Sequence, residues 1–184
     1  MTERLFKVLI IGDATVGKTS FVQRYVNDSF RREYKTTIGG QERFSSMTRV
    51  YYKDASACVI MFDITAKKTF QNILKWKKDL DTKVSLPDGQ LVPCLLVANK
   101  SDLPDRPVSE DEIEQLAKDN DFIGWTEMSV KEGANVNDAM KFLLDEILAA
   151  HSINANNTTD DRRDGGHITV KNDRDTINNK SCGC

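Results

Sequence analysis

Gly12-Asp13-Ala14-Thr15-Val16-Gly17-Lys18-Thr19 is the stretch whose reading decides the fold. It follows the apolar run Val8-Leu9-Ile10-Ile11 and opens onto the helix-compatible Ser20-Phe21-Val22-Gln23-Arg24-Tyr25. Strand, glycine-bounded turn and helix in that order, with Gly-x-x-x-x-Gly-Lys-Thr spacing, form the pattern of a phosphate-binding loop. Glycines let the backbone wrap closely and turn its N–H groups inward, making an anion nest at the positive end of a helix. Lys18 can reach the β- and γ-phosphates, and the Thr19 hydroxyl can ligate Mg²⁺. An ordinary glycine-containing turn between strand and helix is the competing reading.

The chain has 184 residues, enough for one α/β domain with a sizeable core. A net charge of −2 excludes a global nucleic-acid signature. Two histidines and no His/Cys cluster argue against a zinc site. No apolar stretch follows Met1-Thr2-Glu3-Arg4, and no run approaches the ~18 residues of a membrane span. A reducing, cytosolic compartment is therefore expected.

Outward from the loop, Leu5 to Ile11 reads as a first buried strand and Lys18 to Asn27 as a helix. Asp28 to Gly40 is polar and irregular. Phe44, Met47 and Tyr51 allow one helical face within Glu42 to Asp54. Ala57 to Phe62 is continuously apolar, as in a central parallel strand. Helical spacing of Phe70, Ile73, Leu74, Leu80 and Val84 predicts a helix over Thr69 to Val84. A turn at Leu86-Pro87-Asp88-Gly89 leads to a strand over Val92 to Ala98. Ser109-Glu110-Asp111-Glu112 is a capping box, Gly124 to Ser129 a short strand, and Asn135 to Ala150 an amphipathic helix. Strand and helix alternate, which argues for a parallel sheet with helices on both faces. Residues 1–151 form that domain. From 152 to 184 the chain is polar with isolated apolar residues and reads as a disordered tail.

Two further clusters carry chemistry. Asn99-Lys100-Ser101-Asp102 follows a strand, at the edge where open α/β sheets bind ligands. The Asp102 carboxylate can accept from the N1–H and 2-amino group of guanine, an arrangement adenine lacks. Asn99 can tie loops together, and the Lys100 stem can lie along the base. Ser129-Val130-Lys131 ends the next strand and can offer backbone N–H groups to the same base. The terminal Cys182-Gly183-Cys184 suits lipid attachment, because two chains are needed for stable anchoring.

These residues together resemble the Rab branch of the Ras-like small GTPases, especially the subgroup of lysosome-related organelles. The resembling stretches are Leu5 to Arg24, Tyr34 to Gly39, Gly40-Gln41-Glu42-Arg43-Phe44 through Ile64, Trp76 to Asp102, Gly124 to Lys131 and the terminal Cys-Gly-Cys. The resemblance implies a P-loop, three-layer α/β sandwich that binds GTP and GDP with Mg²⁺ and hydrolyses GTP. It assigns nucleotide contacts to Gly12, Ala14, Thr15, Val16, Gly17, Lys18, Thr19, Ser20, Gly40, Asn99, Lys100, Asp102, Ser129, Val130 and Lys131. Thr19 and Thr37 would meet the metal, Gln41 would orient the attacking water beside Lys18, and Cys182 and Cys184 would carry geranylgeranyl groups. Implied partners are an exchange factor, a GTPase-activating protein, effectors, a prenylation escort and an extraction chaperone. The implied location is the cytoplasmic face of lysosome-related, Golgi or endosomal membranes, in vesicle-mediated transport.

One departure is large. In the family, two antiparallel strands and an Asp-x-x-Gly segment separate the first switch from the second. Here Ile38-Gly39 runs straight into Gly40-Gln41, and Thr37 stands three positions before Gly40. The expectation is a sheet lacking the family's second and third strands, its first strand at the edge, with impaired hydrolysis. Asp63 is a weak substitute for the missing aspartate. A non-enzymatic, internally deleted binding module is the alternative reading. A P-loop kinase using ATP is a third, which Asp102 opposes.

Overall fold

The structure is a computed structural model that describes residues 5–28 and 48–153, with the side chains of Thr48 and of residues 151–153 left aside. Four apolar runs pair into one parallel sheet: β1 (Val8–Ile11), β2 (Ala57–Asp63), β3 (Cys94–Asn99) and β4 (Gly124–Met128), in the order β1-β2-β3-β4. Every residue of β2 and β3 is buried, as continuous apolar runs require when both sheet faces are covered. In β1 only Leu9 is buried, while Val8, Ile10 and Ile11 are half-buried. Among the described residues β1 pairs with β2 alone, which makes it an edge of the described part of the sheet. Cys58 of β2 stands in register with Cys94 of β3, both fully buried free thiols.

Helices cover both faces. Helix α1 (Lys18–Asn27) and the long α6 (Val136–Ile153) lie on one, where Phe21, Val136, Ala139, Leu143 and Ile147 close over Val59, Met61, Leu95 and Val97. On the other, α2 (Thr48–Tyr52), α3 (Lys67–Gln71), α4 (Ile73–Lys83) and α5 (Glu110–Asp119) bring Tyr52, Phe70, Ile73, Leu80 and Ile113 onto Ile60, Phe62 and Leu96. The three-layer α/β expectation holds.

Several boundaries differ from the sequence reading; β3 spans Cys94–Asn99 rather than Val92 to Ala98, and β4 stops at Met128 rather than Ser129. The expected helix over Thr69 to Val84 is two helices meeting at Asn72. Phe70, Ile73 and Leu80 all stay on the core face across the break, so periodicity passes over it. The first strand begins at Val8 rather than Leu5. The Lys7 carbonyl instead receives the Ser56 N–H at 2.8 Å, and Leu5 is 99% exposed. Helix α6 runs on to Ile153, beyond Ala150. The capping box is present as read, with Ser109 and Glu112 bonding reciprocally. Of the proposed 42–54 helical face, Thr48–Tyr52 is helix, and Phe44 and Met47 lie outside the described residues.

Candidate functional site

The phosphate loop joins β1 to α1 at the C-terminal edge of the sheet. Gly12 has φ +139°, and a Cβ there would run into the Met61 carbonyl of β2. Gly17 has φ +108°, and a Cβ there would strike the Asn99 amide. Both positions need glycine for closeness as well as for φ. Thr15 takes φ +66° without that freedom. A β-branched residue in the left-handed region costs about 1–3 kcal/mol, the kind of strain that gathers at ligand sites. Val16 is fully buried and anchors the loop to the core.

Lys18 opens α1, and its ammonium donates to the Gly12 carbonyl at 2.8 Å and to the Asp13 carbonyl. Two of its three N–H groups are thus used within the loop, leaving one for an arriving anion. Burial pulls its pKa down to about 8, opposed by the nearby Asp13 carboxylate. Thr19 and Ser20 follow in the first turn of the helix.

The residues that the sequence reading assigns to base recognition converge on the same edge. Asn99 ends β3 and is 3% exposed. Its Nδ2 donates to the Val16 carbonyl at 2.7 Å, and its Oδ1 accepts from the Val130 N–H at 3.2 Å. One buried amide therefore holds the phosphate loop against the 129–131 loop. Asp102 accepts from the Ser129 hydroxyl at 2.7 Å on one oxygen and from the Lys131 ammonium at 3.4 Å on the other. Burial works to raise the Asp102 carboxyl. The Ser129 hydroxyl, a backbone N–H and Lys131 outweigh it and hold the group below the ordinary range. A carboxylate has about four acceptor sites, so both oxygens can still meet two donors of a base edge.

Lys100 has φ +70°, and its ammonium pairs with Asp63 at 2.5 Å. Asp63 also accepts from the Thr65 N–H and hydroxyl at 3.0 and 2.7 Å. Burial would raise this carboxyl, but Lys100 and Thr65 together keep it low. Its oxygens are committed to those partners, which argues against Asp63 as the missing metal ligand. Among the described residues, no group of three His, Cys, Asp or Glu side chains could hold a metal. No helix among them is long and apolar enough to cross a membrane.

The expected site residues Gly12 and Ala14 to Ser20, Asn99, Lys100, Asp102 and Ser129 to Lys131 thus sit together at one sheet edge, Lys18 to Ser20 in the first turn of α1, Asn99 at the end of β3 and the rest on adjoining loops. Thr37, Gly40, Gln41, Cys182 and Cys184 lie outside the described residues. Sequence reasoning missed three others. Arg24 of α1 donates to the carbonyls of Val130 and Lys131 at 2.9 and 2.5 Å, pinning the base loop from behind. Asn72 and Trp76 both bond the Asp13 carboxylate, at 2.6 and 2.8 Å. These partners are separated by 106, 107, 59 and 63 positions, and local spacing carries no signal over such distances.

Comparison with known proteins bears on this geometry. The family model described as "Ras family" matches residues 39–149, and that described as "Ras of Complex, Roc, domain of DAPkinase" matches residues 7–40. Ras-related protein Rab-7L1 of Homo sapiens is 52% identical over 170 residues, covering 79% of this chain and 84% of that protein. Ras-related protein Rab-32 of Homo sapiens is 40% identical over 209 residues, covering 99% of this chain and 90% of its own length. Rab-32B of Dictyostelium discoideum is 37% identical over 204 residues, covering 98% and 78%.

Proposed function

Because the chain belongs to the Rab branch of the Ras-like small GTPases, we propose that it serves as a membrane-anchored guanine-nucleotide switch whose hydrolysis is slowed by an internal deletion. As a member of that family it binds GTP and GDP, is a GTPase and acts in Rab-type traffic. The non-enzymatic alternative has no comparable support.

The observation that carries the site assignment is the Asn99 amide, bonded to both Val16 and Val130. It joins the loop that suits phosphates to the loop that suits a base. In the proposed arrangement the N–H groups of residues 14–20 cradle the phosphates and the third Lys18 proton meets a phosphate oxygen. Asp102 accepts from guanine, while the Lys131 N–H faces its O6, the N–H groups of Ser129 and Val130 being bonded to the Ala134 carbonyl and to Asn99 Oδ1. Lys131 now covers Asp102 and swings aside for the base. Mg²⁺ fits the donors present: it binds through one or two protein oxygens plus phosphates and water, and Thr19 offers a neutral oxygen in the first turn of α1. When bound, it would offset phosphate charge in the reaction. By resemblance, Thr37 would add a second oxygen, Gly40 would face the γ-phosphate and Gln41 would hold the water.

Two observations support the deletion. The two family matches meet at residues 39 and 40. The 170 aligned positions of Rab-7L1 occupy only 79% of this 184-residue chain, fewer residues than positions. With no aspartate three positions before Gly40, hydrolysis is slower than in intact relatives. Geranylgeranyl groups on Cys182 and Cys184 would hold the chain to the cytoplasmic face of lysosome-related, Golgi or endosomal membranes. A prenylation escort would deliver it there and an extraction chaperone would remove it. Exchange factors, GTPase-activating proteins and effectors act on it as on the family.

Nucleotide binding by the purified full chain with Mg²⁺ tests the reading. GDP should bind and ADP should not, and Asp102→Asn should shift preference from guanosine to xanthosine diphosphate, because an amide can donate to the 2-oxo group. Absence of GDP binding at high micromolar concentration would overturn it. Single-turnover GTP hydrolysis as fast as that of human Rab-32 would overturn the slowed-hydrolysis part.

A further inference from the structure

Asp13 presents a difficulty. It places a carboxylate inside the phosphate loop, where a negative charge opposes phosphate. It also neighbours Lys18, whose ammonium already rests on the Asp13 main-chain carbonyl. A freely rotating Asp13 side chain would pair with that ammonium and compete with the ligand.

The structure shows where the carboxylate goes instead. Its Oδ2 accepts from Asn72 Nδ2 at 2.6 Å and its Oδ1 from Trp76 Nε1 at 2.8 Å. Asn72 is the junction between α3 and α4, and Trp76 lies one turn further along α4. An i, i+4 pair shares one helix face, so both donors meet the same carboxylate. The Asn72 side chain makes no helix-capping bond, so its amide is committed outward to the loop. Both donors are neutral, and they fix the position of the charge without supplying a counter-charge.

We infer that Asn72 and Trp76 are positioning residues for phosphate binding: they latch the Asp13 carboxylate against the α3–α4 junction and so keep the Lys18 ammonium available to the nucleotide. The inference rests on the proposed nucleotide site. Breaking the latch frees Asp13 to turn to Lys18, which makes the phosphate compete with an internal anion. Removing Asp13 as well abolishes the competitor, so the lost affinity returns.

The test compares three full-length proteins: wild type, Asn72→Ala/Trp76→Phe, and the same pair with Asp13→Ala. Phenylalanine keeps an aromatic ring at position 76 and loses the donor. GDP affinity with Mg²⁺ should fall about tenfold in the double variant and recover to within about threefold of wild type in the triple. A role in packing alone would not be rescued by a third substitution. In nucleotide-free form a fourth protein, Asp13→Ala alone, should show the Trp76 indole N–H resonance moved upfield in the NMR spectrum, because the carboxylate that accepts from it is gone. A double variant with wild-type affinity, or a triple variant no tighter than the double, overturns the latch. If wild type itself does not bind GDP, the nucleotide reading fails. The Trp76 indole resonance then decides the latch alone, and no shift on Asp13→Ala overturns it.

Discussion

Replacing Asn99 should damage phosphate and base recognition together. The side chain is 3% exposed and makes two bonds of opposite sense, donating to the Val16 carbonyl at 2.7 Å and accepting from the Val130 N–H at 3.2 Å. Asn99→Ala leaves a buried acceptor and a buried donor unpaired. Each costs about 1–3 kcal/mol, so about 2–4 kcal/mol is expected in all, water entry recovering part of the loss. In a domain of this size that lowers Tm by about 5–15 °C. Asn99→Asp is the sharper test because it keeps shape and volume. Its Oδ1 still accepts from Val130, but an oxygen now faces the Val16 carbonyl, acceptor against acceptor in a buried place. It should cost at least as much as alanine, even though it is nearly isosteric. The assay is thermal unfolding with and without GDP, with stopped-flow release of a fluorescent GDP. Both variants should release GDP at least tenfold faster, by about 1.4 kcal/mol or more. An Asn99→Asp protein with wild-type Tm and release rate would refute the argument that one amide bridges the two loops.

Nucleotide affinity should also depend on pH through Lys18. Its folded pKa is pulled from 10.5 to about 8 by burial, and a bound phosphate favours the charged form. GDP affinity should therefore be flat below about pH 8 and weaken as pH rises beyond it, by calorimetry. Ligand-free stability carries the opposite sign: between about 8 and 10.5 the unfolded chain holds more protons than the folded one, so this group's contribution rises with pH. Arg24→Ala should speed GDP and inosine diphosphate release by similar factors, since its carbonyl partners stand behind the loop that would face the base O6, which both ligands share. An effect confined to GDP would contradict this. Thr15→Gly relieves the left-handed threonine and, after the entropy cost of glycine, should stabilise by about 0.5–2 kcal/mol, seen as a raised Tm. Ser109→Ala removes a cap bonded in both directions and should destabilise by about 1 kcal/mol in urea unfolding.

What the sequence disclosed is what local chemistry encodes. Helix α1 begins at Lys18 and ends at Asn27 as read, because Gly17 introduces it and the pattern of Phe21 and its neighbours sustains it. The cap at Ser109 was readable because its partner is three residues away. Strands β2 and β3 announced themselves as unbroken apolar runs. The break at Asn72 was not readable, since the core-facing periodicity continues through it and the residue's side chain serves a loop far earlier in the chain. Phosphate and base residues were legible from motif spacing. Their supports, Arg24, Asn72 and Trp76, were not, because each reaches a partner fixed by the fold alone.

Cys58 and Cys94 give the molecule a built-in clock. The two thiols stand side by side on the central strands with no exposed surface, and burial raises the Cys58 thiol well above its usual range, as does its hydrogen bond with Cys94. A thiol reagent can reach them only when the middle of the sheet opens. Their modification rate therefore counts sheet openings, without any introduced probe. A ligand that grips the phosphate loop should lower the logarithm of that count in proportion to the free energy it adds, turning nucleotide occupancy into an elapsed time.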